Sequence, residues 1–128
     1  MHKFFLLAGC LLMALSVAIG AFGAHGLKEV LQRTQRIETF ETAVKYQFYH
    51  SLAILFLGIL MFHFQHKFLN GAGFLFIAGI IIFSGSLYVL SLTGIKWLGA
   101  ITPIGGLAFI AGWVLAFIAL LNLPALKG

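Results

Sequence analysis

Residues 4–24 hold 21 consecutive positions without a single charge. As a helix rising 1.5 Å per residue, such a run reaches roughly 32 Å, enough to cross a bilayer core of ~30 Å. Three more apolar runs follow at residues 43–62, 70–92 and 97–121. Charged residues make up 9% of the chain and hydrophobic residues 62%, against about 25% charged in an ordinary soluble domain. A soluble domain of 128 residues could not hide that much apolar surface, so its solvent is lipid. In lipid every backbone polar group must be satisfied within its own segment, which leaves helices for runs of this kind. The expected fold is all-α: an integral membrane protein of one domain, residues 1–128, with four transmembrane helices.

Two processing signals compete for the first run. Residues 21–24 supply the small residues of a signal-peptide cleavage site, but the apolar stretch is longer than the 7–15 residues of such a signal. Leu7-Ala8-Gly9-Cys10 resembles a lipoprotein box, yet only three residues separate it from Lys3, and the apolar run continues past Cys10. Both are read as decoys, and the run is expected to remain as a helix. Ser16, Gly20 and Ala24 recur every four residues, as do Ala108, Gly112 and Ala116. Small residues at that spacing let helices approach closely in a membrane. Glycine and serine through the third run serve the same end, and Pro103 falls where a helix start tolerates it. With one cysteine, no intrachain disulfide and no thiolate metal cluster can form.

Residues 27–41 differ. Leu27, Val30, Leu31, Ile37 and Phe40 share one half of a helical wheel, with Lys28, Glu29, Gln32, Gln35, Arg36 and Thr39 opposite. This pattern predicts an amphipathic helix lying in the membrane interface between the first and second spans. Glu38 and Glu41 fall towards its apolar half and call for partners. Lys45 stands four residues beyond Glu41, the favourable order for an ion pair.

The second span opens on TAVKYQFYHSLA, residues 42–53. Polar groups leading into a hydrocarbon-length run need water, a partner or a task. We expect His25, Glu41, Lys45, Tyr46 and His50 to converge into one polar cluster where the first helix leaves the membrane and the second enters it. Convergence would satisfy those groups without any chemistry, so a structural cluster is favoured over an active site, and no catalytic residue is assigned. His63 and His66 stand three apart with no carboxylate or thiolate beside them, a surface pair rather than a metal site. Haem between His25 and His50 is set aside because their depths differ by about two turns. No cofactor and no metal is expected.

The basic residues sit near segment ends, where they face lipid headgroups, so the formal charge of +5 does not indicate nucleic acid. Four spans place Lys3, Lys67 and Lys127 on one side and Lys28, Arg33, Arg36, Lys45 and Lys96 on the other. The excess of positive charge puts the first and third connections in the cytoplasm and the termini on the non-cytoplasmic side of the cell (inner) membrane. A small multidrug exporter needs a carboxylate within a span. This chain has no Asp, and Glu29, Glu38 and Glu41 all lie in the first connection. Motifs of fluoride channels are absent as well.

Three stretches together resemble a known family: GAFGAHGL at 20–27, TAVKYQFYHSL at 42–52, and 83–113 with its FSGSLY, LTG and ITPIGG. They are similar to the YgdD/YwdK-like small membrane proteins, a domain-of-unknown-function family of bacterial members with mitochondrial relatives. The resemblance covers nearly the whole chain and implies four membrane helices with no established activity. His25, Thr42, Tyr46, His50, Ser84, Tyr88, Thr102 and Pro103 fall at its motif positions, and it carries over a role for none of them. The expected function is non-enzymatic: packing with itself, with lipid or with a membrane-protein partner. The alternative is a small-solute or proton pathway lined by His50 and its neighbours.

Overall fold

A computed structural model describes residues 1–125, so Lys127 lies outside the described residues. The helices run in the order α1 (His2–His25), α2 (Lys28–Thr34), α3 (Ile37–Leu60), α4 (Lys67–Gly79), a π-turn (Ile80–Ser84), α5 (Gly85–Thr93), a 3-10 turn (Lys96–Ala100) and α6 (Thr102–Leu121). Four stretches are long and apolar enough to cross a membrane: His2–His25, Ile37–Leu60, Lys67–Thr93 and Lys96–Leu121. The all-helical, four-span expectation therefore holds.

The connection between the first two spans is shorter than the sequence pattern suggests. Only Lys28–Thr34 forms the interfacial helix. It ends where Gln35 takes a left-handed conformation, φ 57°, and the Arg36 N–H turns back to the Leu31 carbonyl at 3.1 Å. That geometry closes a helix and is normally filled by glycine. The third helix then starts at Ile37, so Glu38 and Glu41 belong to the second span's first turns and not to an interfacial helix. Thr34 donates to the Ser91 carbonyl at 2.7 Å, which fastens α2 to the end of α5. At the opposite side the His2 ring lies 4.3 Å from Phe62, so α1 begins where α3 ends.

Packing is mostly phenylalanine or leucine set against glycine. Gly9 of α1 faces Leu55 of α3, and Gly58 of α3 faces Leu6 of α1. The same exchange joins α4 and α6: Gly79 lies under Phe109, and Gly112 under Phe76. Each helix thus offers both notch and filler, which holds backbones close without large interior voids. The predicted 108/112/116 ridge is half right in detail. Gly112 and Ala116 are buried, but the stripe continues through Gly105, Phe109 and Ala119 and leaves Ala108 half-buried. On α1 the buried positions are Phe5, Gly9, Ser16 and Gly23, not the 16/20/24 ridge, since Ala24 is exposed.

The π-turn falls inside the third span. Its wider turn keeps Phe76, Ile80 and Ser84, spaced by four, on one buried face, with Gly85 N–H reaching the Ile80 carbonyl. At the same level the backbone of Phe83 lies directly against Gly105. The core centres on Phe5, Ile54, Leu57, Leu69 and Phe76, all at or near zero exposure.

Candidate functional site

The inner face of α3 carries Ala43, Gln47, His50, Ser51, Ile54 and Leu57, three- and four-residue steps that turn one stripe towards the other helices. Two of these residues would be costly to bury without partners, and each has them. The Gln47 amide donates from Nε2 to the Leu12 carbonyl at 2.9 Å. Its Oε1 accepts from the Tyr88 hydroxyl at 2.5 Å. One side chain thereby ties α1, α3 and α5 together. Around it, Ser16 donates to the Val44 carbonyl at 3.3 Å, Ser84 to the Ala43 carbonyl at 2.8 Å, and Ser51 to the Gln47 carbonyl at 2.6 Å. A further contact, between Ser86 and Thr102 hydroxyls at 2.6 Å, closes α5 onto α6.

His50 is 5% exposed. Its Nδ1 lies 2.8 Å from the Tyr46 carbonyl, and Trp113 Nε1 donates to its Nε2 at 3.1 Å. A carbonyl only accepts and an indole N–H only donates, so Nδ1 carries the proton and Nε2 is bare. The ring is thus a neutral imidazole with both nitrogens engaged. It stacks on Phe109 with centroids 3.6 Å apart and planes 10° from parallel. Tyr46 continues the aromatic layer, 4.6 Å from Phe83.

The structure divides the five residues expected to converge. Tyr46 and His50 meet, one turn apart on α3. Glu41 and Lys45 instead line a groove of about 410 Å³ on another side of the same helix, together with Gly20, Gly23, Lys28 and Phe40. Glu41 and His50 are nine residues apart, which is two and a half turns: opposite sides of the helix and roughly 14 Å along it. In this structure the two therefore belong to separate groups of neighbours. His25 is exposed on the last turn of α1. The expected Glu41–Lys45 ion pair is not formed, because no N···O approach within 4.0 Å joins them among the described residues. His66 caps α4 by accepting from the Phe68 N–H at 3.1 Å, while His63 is exposed. No group of three or more His, Cys, Asp or Glu among the described residues could hold a metal ion.

Sequence reasoning did not pair Gln47, Tyr88 and Trp113 with their partners. One signal was available. Trp113 sits far from either end of its span, away from the headgroup belt where Trp is usual, and an indole N–H at hydrocarbon depth needs an acceptor.

The fold and this site together define a multi-pass helical membrane protein whose interior polar side chains clasp one helix to the next. The chain belongs to the family described as "Protein of unknown function (DUF423)", which matches residues 19–106. Relatives agree along nearly the full length. A UPF0382 membrane protein of Staphylococcus haemolyticus is 47% identical over 117 residues, 91% of this chain and 94% of the relative. The UPF0382 membrane protein YwdK of Bacillus subtilis is 42% identical over 123 residues, covering 91% and 95%. The resemblance to YwdK-like membrane proteins drawn from the motifs is borne out, and no activity is named for the family or these relatives. No solved structure matches the chain.

Proposed function

We propose that the protein is non-enzymatic and acts in the cell membrane by packing, with lipid, with a second copy of itself or with another membrane protein. The observation that carries this reading is the use made of the interior polar groups. Gln47, His50, Ser51, Ser84 and Ser16 each bond to a helix backbone or to a side chain of a neighbouring helix. None of those bonds pairs a nucleophile with a base, the minimum for acid–base or covalent chemistry. The outer faces of α1 and α6 present large apolar side chains such as Leu7, Leu11, Leu107 and Phe117, suited to lipid or to a further helix.

The test is purification of the full chain from native membranes in mild detergent, with co-purifying proteins and lipids identified. Retention of a defined protein or lipid is the expected result. In parallel, the protein is reconstituted in liposomes and assayed for proton or solute flux. Flux carried by the wild type and abolished in a well-folded His50→Phe variant would overturn the packing reading in favour of a pathway.

A further inference from the structure

We propose that the groove between the end of α1, helix α2 and the start of α3 binds one anionic phospholipid, with Lys28 and Lys45 holding its phosphate. This rests on the packing reading only in taking lipid as a partner. The groove's volume of about 410 Å³ falls within the range of about 300–1,000 Å³ typical of small-ligand sites. Its walls are apolar, supplied by Gly23, Leu31, Phe40 and Val44, and Leu31 and Phe40 are themselves buried at 3% and 4% exposure. Apolar walls take an acyl chain.

The charges sit where a headgroup would be. Helix α2 joins two spans at one membrane surface, so Lys28 on its first turn stands at headgroup level. Lys45 lies eight residues into α3, roughly 12 Å along the helix, and its side chain leans back towards the helix N-terminus, the end nearer the headgroups. Both lysines and Glu41 line the groove, and all three are exposed. Among the described residues neither lysine is within 4.0 Å of a carboxylate. Two positive charges against one negative leave a net charge of +1, which a phosphodiester monoanion neutralises. A zwitterionic headgroup would leave that charge unbalanced. Charge complementarity therefore selects an anionic lipid over phosphatidylethanolamine.

The experiment uses delipidated full-length protein in mild detergent. It is titrated with phosphatidylglycerol or with phosphatidylethanolamine of the same acyl chains, and bound lipid is counted by native mass spectrometry. One phosphatidylglycerol per chain is expected, held on the order of tenfold more tightly than phosphatidylethanolamine. The double variant Lys28→Gln/Lys45→Gln should lose that tenfold preference, on the scale set by headgroup attraction of surface lysines. Ala24→Phe, at an exposed position on the groove wall, should reduce binding of both lipids without lowering the melting temperature. Equal binding of the two lipids by the wild type, an unsaturable ladder of adducts, or unchanged phosphatidylglycerol binding in both variants would overturn the proposal. If one of those results came with a protein partner or dimer that persists without lipid, the packing reading would stand while this one fell.

Discussion

With Nδ1 against the Tyr46 carbonyl and Nε2 receiving the Trp113 indole, His50 can take a second proton only by losing a bond. Trp113→Phe keeps a ring beside Phe76 and removes the donor. It should destabilise the protein by about 1 kcal/mol, the usual scale for one hydrogen bond between membrane helices, read as a lowered melting temperature in detergent. Gln47→Leu should cost more than Tyr88→Phe, because Gln47 holds two helices at once whereas Tyr88→Phe removes one of its bonds and leaves the other. Equal effects would mean that the Leu12 contact contributes nothing. The sequence pointed to His50 because a histidine in an apolar run demands a partner. It could not name Trp113, which is 63 residues away and reachable only once α6 has packed on α4. Glu41 and Lys45 misled for the opposite reason: their four-residue spacing permits a pair, but spacing alone does not hold two exposed side chains together.

Among the elements, the connection at Gln35 and the glycine seams are where substitutions should act most plainly. The wheel of residues 27–41 described an amphipathic face well but contained no helix breaker, so the break at Gln35 was not legible. A left-handed residue other than glycine is strained, and Gln35→Gly should raise stability by about 0.5 kcal/mol, the relief being partly offset by a freer unfolded chain. A drop in melting temperature would show that the Gln35 side chain makes a contact that matters more than its backbone. On α6, a Cβ at Gly112 would stand 2.7 Å from the Phe76 ring, so Gly112→Leu should cost about 1–3 kcal/mol through overpacking. Gly85→Ala is the control, since nothing lies within 4 Å of its added Cβ, and it should be neutral or slightly stabilising. The small-every-four pattern found Gly112 and Ala116 but not Gly105, because the π-turn that brings Phe83 against Gly105 leaves no mark in the apolar pattern of residues 76–86.

At the scale of the whole molecule, α1 packs on α3 and α6 on α4, so the first and fourth spans form the outer edges while the second and third form the middle. This explains why every span was legible from composition while their order of contact was not: an apolar face turned to lipid and one turned to a helix carry the same residues. Charge is the expected guide to orientation instead. Lys28, Arg33, Arg36, Lys45 and Lys96 are joined to one end by the α2–α5 contact and the short turn after α5, while Lys3 and Lys67 are tied to the other by the His2–Phe62 contact. Glu29, Glu38 and Glu41 share the basic end, but acidic residues contribute little to this bias. The end bearing α2 should therefore face the cytoplasm. The check begins by replacing Cys10, the one native thiol, and placing single cysteines at exposed, uncharged Gln32 and at exposed His63. A membrane-impermeant maleimide applied to intact cells should label the His63→Cys variant at once, and the Gln32→Cys variant only after the membrane is permeabilised. The reverse pattern would place α2 outside, and the lysine-bearing groove beside it would then meet the outer leaflet.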